Sequence, residues 1–289
     1  MTAYSKILED GAEPFFEEPP AERLVSIVIP AHNEELRLTA TLIVYGEKMR
    51  EQFGENFEIV VVTNGCSDGT VGVANAAALE DPRIRVVEIE EAVGKGGAVL
   101  EGLRRAEGEA VVFADADGAT APESLVRLLE ELDKCDVAIG SRRMTESTIT
   151  QPQPVSRRLL GFAFARMARL LFGMPFKDTQ CGAKAMRAEA ARRLCDVVSE
   201  TSWTFDLDLL LCARKLGLEI SEHPVIWEDK KGSRLRYTST TWEVLQAFWT
   251  MKRRQQVPLA VLPEPPVLGE EEERAPDADE KTPIARGVA

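Results

Sequence analysis

The sequence predicts an α/β protein built on a mixed, mostly parallel sheet with helices on both faces. Three observations carry that expectation. Short, nearly continuous apolar and β-branched runs recur at LVSIVIP (24–30), EIVVVT (58–63), RIRVVEI (83–89), EAVVFAD (109–115) and DVAIGS (136–141). Helical stretches separate them, as crossover connections require. Polar clusters rich in Gly, Asn and Asp follow the strands, where ligands of open α/β sheets bind.

Taken in order, the first strand stops at Pro30, and a helix is expected over about 34–52. The second strand ends in the turn NGCSDG (64–69), followed by a helix over about 70–79. The third leads to Gly94-Lys95-Gly96-Gly97 and a helix to about 106. After the fourth, Pro122 suits the first position of a helix, and the fifth strand closes the first half. The second half opens with the apolar helix SRRLLGFAFARMARLLFG (156–173). An irregular loop and short strand (178–187) follow, then helices over about 188–197 and 205–216, a strand near 219–226 and a helix over about 240–254. The Pro- and Glu-rich ends, 1–23 and 257–289, read as flexible, which leaves 24–256 as one domain.

The 289 residues are 44% hydrophobic, enough for a sizeable core, and carry a net charge of −13, which argues against a general nucleic-acid binder. The two ends hold −4 and −5 of that charge, so the body is only −4. Within the body, 141–177 holds seven bases against one acid, a local anion-attracting surface. Five cysteines without a CxxC pair, and an acidic N-terminus without an apolar signal segment, point to buried thiols in a reducing, cytoplasmic compartment. No run of 18 apolar residues is present.

The sharpest chemical signal is Asp115-Ala116-Asp117 at the end of a buried strand. Two carboxylates so placed can approach one hard cation, Mg²⁺ or Mn²⁺, that bridges a diphosphate. The plainer alternative is one helix cap and one solvated acid. Pro30-Ala31-His32-Asn33-Glu34 and Asn64-Gly65-Cys66-Ser67-Asp68 sit at neighbouring strand ends and suit a nucleoside pocket. Ordinary turn and capping chemistry, with Asn33 as N-cap, explains them equally well. Gly94-Lys95-Gly96-Gly97 is a loose phosphate-loop candidate without the Walker spacing.

The blocks IVIPAHNEE, VVTNGCSDGT, GKGGAV, FADADGAT, GSR, DTQCGAKAM, WTFDLDLL and KKGSRLR occur in that order. Together they resemble the family 2 glycosyltransferases of GT-A fold over about residues 24–254. The likeness is greatest to the polyprenyl-phosphate enzymes, the dolichyl-phosphate β-glucosyltransferase branch first and mannose-synthase-like enzymes next. The resemblance implies a nucleotide-sugar donor, UDP-glucose ahead of GDP-mannose, and a polyprenyl phosphate acceptor. Pro30, Ala31, Asn33, Glu34, Asn64, Asp68, Lys95 and Ala116 would line the donor site. Asp115 and Asp117 would hold metal and diphosphate. Arg142, Arg157 or Arg158, Ser233 and Arg234 would hold the acceptor phosphate, and Gln180 and Asp206 would face the sugar and acceptor. Inversion by in-line attack follows from the family.

Physical chemistry supports such an acceptor separately. A phosphate monoester is already an anionic nucleophile and needs cations more than a general base. Helix 156–173, with four arginines among apolar residues, suits a membrane interface, as does 240–254 with its Trp residues and Lys-Arg-Arg end. Packing of the two helices on the core or on each other is the alternative. A peripheral position at the cytoplasmic membrane face is expected, with a second copy or a membrane protein as partner types. The rivals are a soluble acceptor, a nucleotidyltransferase and a non-catalytic GT-A-like module. Asp206 reads as a base or a helix cap, Asp208 as a helix-surface residue, Trp203 as a sugar platform or core aromatic, Cys181 as a buried thiol, and His32 as a loop residue.

Overall fold

The structure, a computed structural model, describes residues 23–230 and 246–254. Ser233, Arg234, Trp242 and nearly all of both acidic ends lie outside the described residues. In chain order the elements are β1 (Val25–Ala31), α1 (Leu38–Phe53), β2 (Phe57–Asn64), α2 (Thr70–Glu80), β3 (Ile84–Ile89), α3 (Gly94–Arg105), β4 (Ala110–Phe113), α4 (Pro122–Glu130), β5 (Val137–Ser141), β6 (Thr148–Gln151), α5 (Val155–Phe172), β7 (Lys184–Arg187), α6 (Ala188–Cys195), α7 (Phe205–Lys215), β8 (Ile220–Pro224) and β9 (Ile226–Glu228). Residues 246–254 are helical.

The main sheet has the order β3-β2-β1-β4-β7-β5-β8. β1 pairs in parallel with β2 and β4, and β2 with β3. β7 enters antiparallel between β4 and β5, and β8 lies parallel to β5 at the edge. The apolar runs serve both faces. Ile27, Ile29, Ile59 and Val61 join a core beneath α1, α2 and α4. Val28, Val60 and Val62, one step out of phase, join a second core with α3, α5, α6 and α7.

Three expectations are corrected. The strand near 219–226 is two strands, β8 in the main sheet and β9 paired with β6 in a small second sheet. β6 gave no readable signal because its four residues are mostly exposed. The first helix begins at Leu38 rather than 34, and Asn33 is not its N-cap. Asn33 is left-handed, with φ 58°, and its side-chain oxygen accepts the Ser67 N–H at 2.7 Å. It stitches the turn after β1 to the turn after β2.

α5 buries only Phe164, Ala168 and Phe172, a narrow stripe of period four. Phe248 of helix 246–254 packs against both phenylalanines, with ring centroids 5.1 and 5.4 Å away. Leu159, Leu160, Phe162, Leu170 and Leu171 stay exposed. Among the described residues no helix is long and apolar enough to cross a membrane.

Candidate active site

The chain leaves the sheet just after β4, where the Ala114 N–H makes its last bond to Val28 O. The following turn is clamped from below by α1. Thr41 Oγ1 donates to Ala116 O at 2.8 Å, and the Tyr45 hydroxyl donates to Thr120 O at 2.9 Å. Gly118 takes φ 65° to close it, with the Thr41 hydroxyl where a side chain would stand. The clamp presents Asp115 and Asp117 at the sheet's C-terminal edge. Asp117 accepts the Ala119 N–H, and its carboxyl is pushed up to about 6 by burial and by the neighbouring Asp115. On the far side the backbone of Gly182 abuts the Asp115 carboxylate so closely that a Cβ there would overlap it.

Lys95 reaches this edge from the start of α3. The glycines around it have packing reasons. The Gly96 N–H donates to Thr201 O at 2.8 Å, a side chain on Gly94 would strike that carbonyl, and one on Gly96 would strike the Phe205 ring. The glycine run therefore docks α3 onto the 201–205 loop and directs Lys95. Its Nζ lies 2.9 Å from Asp115 Oδ1 and 3.5 Å from Asp206 Oδ2.

Asp206 is neither an exposed base nor the helix cap. It is buried in the first turn of α7, whose N-cap is Thr204, and it sits between Lys95 and the fully buried Lys184. Burial alone would raise its carboxyl, but Lys184 and Lys95 outweigh that and hold it below the ordinary carboxylate range. Lys184 was not foreseen. Its only sequence signal is a lone lysine in the small, apolar run CGAKAM (181–186).

The residues expected around a nucleoside cluster as the strand order requires, because Ala31 pairs with Thr63 at adjacent strand ends. His32 Nδ1 bonds the carbonyl of buried Asn64 at 2.7 Å, which locks Pro30-Ala31-His32 to β2. Glu34 is held by both arms of Arg37 at 2.6 and 2.7 Å. Asp68 accepts the N–H of Thr70, the first residue of α2, at 3.0 Å. Arg37 was also missed, since a single arginine after NEEL carries no pattern.

A cleft of about 760 Å³ opens beside α5. Its lining includes Arg142, Arg143, Arg157, Arg158 and Gln180 together with Trp227, Val155, Leu159 and Phe162, and among the described residues no carboxylate. The four arginines differ. Arg142 commits its guanidinium to buried Asp178, and Arg157 lies 3.3 Å from Asp229. Among the described residues the Arg143 side chain donates to the Lys177 carbonyl alone, and Arg158 is exposed. Gln180 donates to the backbone of Trp203, which is 48% exposed and thus not a core aromatic. Asp208, expected on the surface, is buried and paired with Arg254 at 3.0 Å. Burial pushes the Cys181 thiol up to about 11, so it is an inert core group.

The donor set fits a hard divalent ion. Asp115 and Asp117 offer only oxygen, and their mutual repulsion is what a cation relieves. Among the described residues no group of three or more His, Cys, Asp and Glu side chains could hold a metal. Diphosphate oxygens and water would complete the shell.

Comparison with known proteins follows from this geometry. The family described as "Glycosyl transferase family 2" matches residues 26–194. The chain is 35% identical over 246 residues to the dolichyl-phosphate beta-glucosyltransferase of Drosophila melanogaster, covering 81% of this chain and 74% of that one. It is 32% identical over 241 residues to a glycosyltransferase of Haloferax volcanii, covering 81% of this chain but 38% of that longer protein. Among solved structures it resembles mannosyl-3-phosphoglycerate synthase from Rubrobacter xylanophilus, with TM-score 0.61, 19% identity and coverage of 81% and 75%. It also resembles glucosyl-3-phosphoglycerate synthase from Mycobacterium tuberculosis in complex with Mn²⁺, UDP-glucose and phosphoglyceric acid, with TM-score 0.59, 20% identity and coverage of 82% and 81%. At such identities the structural likeness establishes the GT-A fold alone.

Proposed function

The chain belongs to glycosyl transferase family 2, and from that premise we propose that it moves a hexose, glucose first, from a nucleotide sugar to a polyprenyl phosphate with inversion. One observation carries the acceptor: among the described residues the cleft beside α5 is lined by four arginines and no carboxylate, with Val155, Leu159 and Phe162 supplying an apolar part of its wall. A phosphate acceptor needs cations and no base. A hydroxyl acceptor would need a base, and Asp206, held between two lysines, is a poor one. The apolar wall of Val155, Leu159 and Phe162 suits the start of a lipid chain.

UDP-glucose is the preferred donor, supported by the names of the relatives and by the UDP-glucose complex of the structural neighbour. GDP-mannose is the alternative. Ala31, Asn33, Glu34, Asn64 and Asp68 would surround the nucleoside, with Pro30 and Ala116 shaping the backbone. Asp115 and Asp117 would hold Mg²⁺ or Mn²⁺, which when bound offsets charge on the departing diphosphate. Lys95 adds a second cation at the same place. A phosphate oxygen of the acceptor, held by Arg143 and Arg158, attacks the anomeric carbon. The bond from that carbon to the diphosphate breaks, and the nucleoside diphosphate leaves. The exposed apolar residues of α5, interleaved with arginines, would lie on the membrane surface.

The test is transfer from labelled UDP- and GDP-sugars to a short-chain polyprenyl phosphate, with Mg²⁺ or Mn²⁺, without lipid, and with EDTA. A lipid-linked product lost with EDTA supports the reading. Turnover only with phosphoglycerate or a saccharide replaces the acceptor, and no donor use at all leaves a binding module.

A further inference from the structure

We propose that Lys184 is a positioning residue, which acts on the donor site through Asp206 and Lys95 without touching substrate. The inference rests on the donor reading of Lys95 and Asp115 given above. A row of alternating charges runs from the core to the sheet edge: Lys184, Asp206, Lys95, Asp115. Side-chain exposure rises along it from 0% through 6% and 19% to 39%. Lys95 and Asp115 meet solvent and can meet a ligand, whereas Asp206 and Lys184 are shut away behind them.

The inner end is fixed by topology. β4 and β7 run antiparallel with Phe113 opposite Lys184, so Lys184 stands two residues below Asp115 on the neighbouring strand. Its ammonium donates to Cys181 O at 2.7 Å and to Asp206 Oδ1, and it lies 5.5 Å from the Phe113 ring. A wholly buried lysine is held there only by such a partner. Asp206 thus has one oxygen on Lys184 and offers the other to Lys95. Lys95 in turn is shared between Asp206 and Asp115. When a diphosphate arrives at Asp115, Lys95 can turn toward it while Asp206 keeps its base in place. Without Lys184, Asp206 loses the anchor of one oxygen and Lys95 loses its aim.

The test uses the full chain, with UDP and GDP as probes in Mn²⁺, measured by titration calorimetry beside thermal melting and donor and acceptor KM. Lys184→Met should weaken nucleoside diphosphate binding about tenfold and raise donor KM, leaving acceptor KM in place. Lys184→Arg should restore part of it. In a Lys95→Met background, Lys184→Met should cost no further affinity, because the effect passes through Lys95. If Lys184→Met fails to fold, Lys184→Met/Asp206→Leu removes the buried pair with its volume kept and should show the same loss. A folded Lys184 variant that melts lower but binds as wild type makes the residue merely structural and overturns the proposal. Additive losses in the cycle overturn it too. If Lys95→Met itself leaves UDP and GDP binding unchanged, the donor-site reading has failed, and the relay with it.

Discussion

Arg142 and Asp178 form a two-pronged ion pair, Nε to Oδ2 at 2.7 Å and Nη2 to Oδ1 at 3.0 Å, and the Arg142 backbone N–H adds a third bond to the same carboxylate. Asp178 is 1% exposed. The pair makes Arg142 a wall of the arginine-lined cleft rather than a free cation in it. Arg142→Ala strands a buried carboxylate and should destabilise the protein by about 3–5 kcal/mol in thermal or urea unfolding. Arg158→Ala should leave the melting temperature in place and raise the acceptor KM several-fold. Equal effects of the two on stability would contradict this division of labour.

The same pair sets an acid limit. Burial would raise the Asp178 carboxyl, but Arg142 outweighs that and holds it far below the ordinary range. A depressed acid contributes stability that is complete above its unfolded value, about 3.9, and lost as pH falls toward the folded one. Urea midpoints measured from pH 6 to pH 2 should therefore fall below about pH 4 more steeply in wild type than in Asp178→Asn.

Asp117 has the opposite character, since burial and Asp115 both disfavour its charge. Asp117→Asn keeps an acceptor for the Ala119 N–H, so the metal-free protein should melt no lower than wild type. Transfer should drop on the order of 100-fold or more. Mn²⁺ titration followed by paramagnetic resonance checks the cause. Unchanged Mn²⁺ binding with normal turnover would remove Asp117 from the metal site.

Arg254 fastens helix 246–254 to α7 through Asp208, whose Oδ2 also accepts the N–H groups of Ser199 and Glu200. Arg254→Ala should cost about 3 kcal/mol and release Phe248 from between Phe164 and Phe172. Hydrogen exchange should then rise in both α5 and 246–254. Exchange confined to the helix end would show that α5 does not depend on this brace.

Phe162 is 63% exposed on α5 and also lines the cleft. Phe162→Glu should abolish flotation with anionic phosphatidylglycerol vesicles and cut turnover on a vesicle-borne acceptor. Donor binding should not change. Vesicle binding equal to wild type would place the membrane contact elsewhere.

Most of the sheet was legible because its signal is local. Val28 and Ile29 face opposite cores one residue apart, and any strand buried on both sides reads as such a run. The Asp115–Asp117 pair was legible for the same reason, being two residues at the end of one strand. β6 was not, since three of its four residues are exposed and carry no burial pattern. The capping role of Asn33 was not legible either, because it turns left-handed to bond Ser67, a residue 34 positions away.

The sequence by itself determined the α/β class, the strand-end position of the carboxylates and the excess of cations over 141–177. Only the tertiary structure decided which of those charges are spent and which are free. Lys184 meets Asp206 across 22 residues, Arg142 meets Asp178 across 36, and Arg254 meets Asp208 across 46. Periodicity records which face of an element is buried. It holds no record of which distant group a buried charge will meet, because Coulomb attraction follows distance in space and the fold alone sets that distance.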